Sequence, residues 1–153
     1  MTHEPRPVLS PAASRDLQRI AGFLIPSSEE YGVPGADDSA IFADILRSLG
    51  RDTALVCAAL AELGAIGGAA FADLDAESAE AVAAQFHDGG GPAVAALGRV
   101  ILQCYYRDDR VLRSLGVDPR PPFPKGHVIE QGDWSLLDVV SNRKPMWRDD
   151  RAA

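Results

Sequence analysis

Proline and glycine placement limits what this chain can fold into more than any other feature of its sequence. Each proline fixes its own φ, withholds an N–H and keeps the residue before it out of the α region. No helix can run through Ile25-Pro26, Val33-Pro34-Gly35 or Asp118-Pro119-Arg120-Pro121-Pro122-Phe123-Pro124. Gly50, Gly67-Gly68 and Gly89-Gly90-Gly91 add further stops. What remains is a series of short segments, and in these the apolar residues recur at helical spacing.

Residues 1–11, with three of the eleven prolines, are predicted as an extended arm. Ser10 can cap a helix that has Pro11 at its first position, with Leu17, Ile20, Ala21 and Leu24 on one face. Pro26 to Asp38 reads as loop. Asp37 or Asp38 caps a second helix, striped by Ile41, Phe42, Ile45, Leu46 and Leu49 and ending at Gly50. A third runs from about Arg51 to Ala65 or beyond, with Leu55, Val56, Ala59, Leu60, Leu63 and Ile66 as its core face. Gly64, Gly67 and Gly68 leave its end open, or permit close helix packing. Asp75 caps a fourth, which carries Glu77 and Glu80 where negative charge suits the dipole and ends near Phe86. Pro92 opens a fifth, with Val94, Leu97, Val100, Ile101 and Cys104 along one face. A break at Tyr106–Asp108 precedes a short helix carrying Val111, Leu112 and Leu115, closed by Gly116.

Five to six amphipathic helices on short connections predict an all-α protein, with a small bundle over residues 12–116. The best strand signal, Val128-Ile129, is too short to build a sheet. Residues 117–153 read as an irregular, extended C-terminal tail of the same single domain, rich in proline and aromatics. Its one short helix, over Ser135–Val140, is capped by Asp133 and has Trp134, Leu136, Leu137 and Val140 as apolar surface.

Charge divides the same way. Residues 1–100 carry 14 acidic against 6 basic side chains; residues 101–153 carry 8 acidic against 9 basic, and the whole chain of 153 residues is at −7. Lys125 and Lys144 are its only lysines, so the clustered cations that grip nucleic-acid phosphates are missing. No stretch approaches the roughly 18 uncharged apolar residues of a membrane span. The N-terminal residues show neither a signal peptide nor a twin-arginine pair, so the expectation is a cytoplasmic protein. Cys57 and Cys104 lie in apolar helical patterns and are expected to be buried, reduced thiols.

Catalytic constellations are sparse. His3, His87 and His127 are far apart, with no paired ligand spacing, and there is no Cys-x-x-Cys. Neither glycine cluster follows a strand or matches a phosphate loop. Ser10, Ser27 and Ser78 lack a nucleophile elbow. Glu29-Glu30, Asp37-Asp38 and Asp108-Asp109 sit at loops and helix starts, where capping and solvation account for them.

Two stretches carry a recognisable pattern. One is Ile25-Pro26-Ser27-Ser28-Glu29-Glu30-Tyr31-Gly32-Val33-Pro34-Gly35-Ala36-Asp37-Asp38. The other begins Tyr105-Tyr106-Arg107-Asp108-Asp109-Arg110-Val111 and continues through Leu115-Gly116, Arg120-Pro121-Pro122, Gly132-Asp133-Trp134 and Leu136-Leu137-Asp138 to Arg143-Lys144-Pro145-Met146-Trp147-Arg148. Together they resemble the gluconate 2-dehydrogenase subunit 3 family, the small subunits of FAD-dependent sugar and alcohol dehydrogenases. The resemblance implies a subunit without a cofactor of its own. Its partner would be a large flavoprotein of the glucose–methanol–choline type, which holds FAD and oxidises a hydroxyl by passing hydride to the flavin. Many members of the family carry a twin-arginine signal, and this chain departs from that pattern.

The residue types suit such a role independently, because Trp, Tyr and Arg are enriched where binding energy concentrates and proline segments lose less entropy on docking. The expected partner interface is Tyr105, Tyr106, Arg107, Arg110, Arg120, Pro121, Pro122, Phe123, Trp134, Met146, Trp147 and Arg148. Arg107, Arg110, Arg113 and Arg120 are expected to meet partner carboxylates. The alternatives are a free-standing helical interaction module or regulator, and a small enzyme with a site among Tyr105, Arg107, Asp109 and His127.

Overall fold

The computed structural model describes residues 9–119 and 130–144. The chain divides into two units, Met1–Pro119 and Arg120–Ala153. The protein is all-α: seven α-helices and no strand among the described residues. The first unit holds α1 (Pro11–Leu24), α2 (Ser39–Ser48), α3 (Thr53–Gly67), α4 (Ala76–Gly89), α5 (Gly91–Tyr105) and α6 (Asp109–Ser114).

Four of these helices begin at polar caps expected from the sequence. The Ser10 side chain accepts from the Ala13 N–H at 3.1 Å, with Pro11 in the first turn of α1. At α2 the cap is Asp38, which accepts from the N–H groups of Ala40 and Ile41. Asp75 accepts from Ser78 at the start of α4, and Asp108 from Arg110 at the start of α6.

Two boundaries differ from expectation, each for a backbone reason: the start of α3 and the end of α4. Gly50 adopts φ +44° and starts a 3-10 turn over Gly50–Asp52, which delays α3 to Thr53. That helix runs on to Gly67 and is closed by Gly68 at φ +67°. Gly67 packs closely on Leu74, whose side chain would lie 3.0 Å from a Cβ built there. The fourth helix continues past Phe86 to Gly89, ending only where Gly90 turns to positive φ.

Helix α3 is the centre. It packs against α1, α4 and α5, and α2 lies across α5. Val56, Ala59, Leu60 and Leu63 meet Leu17, Ile20, Ile41, Ile45, Phe86, Leu97, Val100 and Ile101 in one core. Leu24, Leu46, Leu55 and Leu115, expected on core faces, are exposed at the margins of their stripes. Cys104 is buried and Cys57 only half-buried, and both thiols are free.

A feature the sequence did not announce sits between α3 and α4. A 3-10 turn, Phe71–Asp73, drives the Phe71 ring fully into the core. Helix α1 holds that turn from the other side. The Asp16 carboxylate accepts from the Ala72 N–H at 2.7 Å, and Arg19 donates to the carbonyls of Ala72 and Leu74. Phe23 meets Phe71 edge-on, with centroids 6.1 Å apart. The buried carboxylate and the buried backbone thus satisfy each other.

The loop from Pro26 to Asp38 is pinned by one antiparallel bridge between Ser28 and Val33 and by the Ala36 N–H donating to the Ile25 carbonyl. Asp37, the other candidate cap, instead sits over α1. A Cβ at Gly22 would lie 2.7 Å from its carboxyl carbon, so only glycine lets loop and helix approach this closely.

In the second unit, Asp133 accepts from the Ser135 N–H at the start of a 3-10 turn, Trp134–Leu137, that runs into α7 (Asp138–Ser141). The arm over residues 1–8, the proline run after Pro119 and the Val128-Ile129 strand signal lie outside the described residues.

Phe71→Ala should remove the wedge under α1 and cost about 3–5 kcal/mol, the usual range for emptying a buried aromatic site. Urea unfolding should show a lower midpoint with the cooperative slope retained. An unchanged midpoint would mean the turn is not part of the core.

Candidate functional site: the α5–α6 corner and an apolar groove

The segment Tyr105–Val111, which carries the strongest motif of the described residues, forms the turn from α5 into α6. Tyr105 is buried, and burial pushes its phenol above the ordinary value, with Tyr106 and Asp108 adding to the effect. The Tyr106 ring stacks edge-on against it at 5.3 Å and is 52% exposed.

The two arginines of the motif turn inward on their own chain. Arg110 donates to both oxygens of Asp108 and both oxygens of Asp38. These are the N-cap carboxylates of α6 and α2, so one guanidinium ties together the starts of two helices. Hydrogen bonding to Arg110 holds both carboxyls below the usual Asp value, and the two carboxylates raise the arginine.

Arg107 donates to Asp44, Ser48 and, at 3.5 Å, the Cys104 sulfur. Burial raises the Asp44 carboxyl, but the hydrogen bonds and positive charges of Arg107 and Arg47 outweigh it and the net shift is downward. Burial pushes the Cys104 thiol up, so this sulfur is not a poised nucleophile. A shallow hollow of about 320 Å³ opens here between Asp44, Arg47, Cys104, Arg107 and Asp109. Arg113 pairs with Asp109 at 2.9 Å.

The expected interface residues therefore fall into three groups. Tyr105, Tyr106, Arg107 and Arg110 share the corner, with the arginines hydrogen-bonded to carboxylates of this chain. Trp134 stands in the second unit, 64% exposed. Arg120, Pro121, Pro122, Phe123, Met146, Trp147 and Arg148 lie outside the described residues, as do His3 and His127. The candidate catalytic group of Tyr105, Arg107 and Asp109 has no free acid–base pair among the described residues: both of its charged members are in ion pairs. The described residues hold no cluster of three or more His, Cys, Asp or Glu able to take a metal. None of their helices is long and apolar enough to cross a membrane.

Elsewhere on the first unit, an open apolar groove of about 740 Å³ runs between the ends of α1 and α4 and the outer face of α5. Phe23, Leu24, Phe86, Leu97 and Leu102 wall it, and Gly98 lies in its lining. Its polar lining is His87, Arg99 and Gln103. Arg99 also donates to Asp52 at 2.8 Å. Sequence reading missed this groove because three separate helices build it. The one available signal was Leu24, an apolar residue beside a helix stop.

Compared with known proteins, the chain matches no family model, no curated protein and no solved structure.

Arg110→Met should cost about 1 kcal/mol at neutral pH, a modest figure because the pairs are partly solvated. The pH sign follows from the lowered carboxyls. Their contribution is complete above the ordinary Asp value of about 3.9 and is lost as pH falls through the lower folded values. Thermal melts of both proteins should thus differ by a constant amount down to that value and converge below it. A difference that persists in acid would assign the effect to packing.

Proposed function

We propose that this chain is the non-catalytic small subunit of a FAD-dependent sugar or alcohol dehydrogenase. It binds and stabilises a large glucose–methanol–choline type flavoprotein, which oxidises a substrate hydroxyl by hydride transfer to its FAD. The motifs at 25–38 and 105–148 suggest the family, and the flavin belongs to the partner.

The observation that carries the reading is uncovered apolar surface. A groove of about 740 Å³ lies open on the first unit, and Trp134, Leu136 and Val139 are exposed on the second. Contiguous apolar surface of this kind marks binding sites. The arginines of the corner, Arg107, Arg110 and Arg113, are by contrast paired with Asp44, Asp38, Asp108 and Asp109, which suits a rigid scaffold better than acid–base chemistry. A cytoplasmic complex is part of the proposal, and two unbridged thiols suit a reducing compartment.

Co-expression with the glucose–methanol–choline type flavoprotein proposed as its partner should yield one yellow complex in which flavin absorbance co-elutes with the 16.3 kDa subunit. Two stable, active proteins eluting separately would refute the assignment. Tyr106→Ala should weaken the complex by roughly tenfold, in keeping with loss of an exposed aromatic anchor. The helicity of the small subunit should stay the same, since more than half of that residue is already solvent-exposed.

A further inference from the structure

We draw no further inference here: the strongest candidate, the apolar groove between α1, α4 and α5, carries none, because nothing in the structure shows what covers it and Arg99 in its wall is already paired with Asp52.

Discussion

The apolar flank of α3 is the surface on which the rest of the first unit depends. Helices of 10 to 15 residues, such as α1 to α5, are marginal alone in water, and packing must supply what nucleation costs. Helix α3 meets α1, α4 and α5, and its Ala59 leaves room for them to come close. The Phe71 turn extends this core to α1, which holds it by a ring contact, by the Asp16 carboxylate accepting from the Ala72 N–H and by Arg19 donating to the turn's carbonyls. Losing α1, α4 or α5 would uncover apolar surface of α3 and weaken the cooperative unit.

Much of this was legible one residue at a time. Ser10, Asp75 and Asp133 cap the helices they were expected to cap, because a side-chain oxygen meeting an orphan N–H two or three residues on is a local event. The break at Tyr106–Asp108 and the closure at Gly116 are local too. What the sequence concealed needed contacts between distant segments. Phe71 lies in no periodic stripe, yet it is among the most buried residues. Leu24 and Leu55 follow the period and remain exposed, because periodicity marks an apolar side without telling how much of it a neighbour covers.

The site was legible in part. The motif at Tyr105–Val111 did mark a distinct corner, and its tyrosines and arginines do come together there. Their pairing was hidden, since spacing cannot reveal that Arg110 reaches Asp38 or that Arg107 reaches Asp44. Those pairs give physical meaning to the uneven charge of the sequence. Two ion pairs join the acidic first part to the arginines after it, with Asp38 and Asp44 answering Arg110 and Arg107.

Those ion pairs change what the corner can offer a partner. An arginine already bonded to two carboxylates presents little net charge, and breaking those bonds to form others would return little free energy. On the proposed subunit role, recognition would fall to shape and apolar area, to the exposed Tyr106 at the corner and to the groove along α5. Apolar area is not selective by itself, since many hydrophobic helices could enter such a groove. The arginines of the corner thus serve the cohesion of the first unit, with Arg110 joining the starts of α2 and α6.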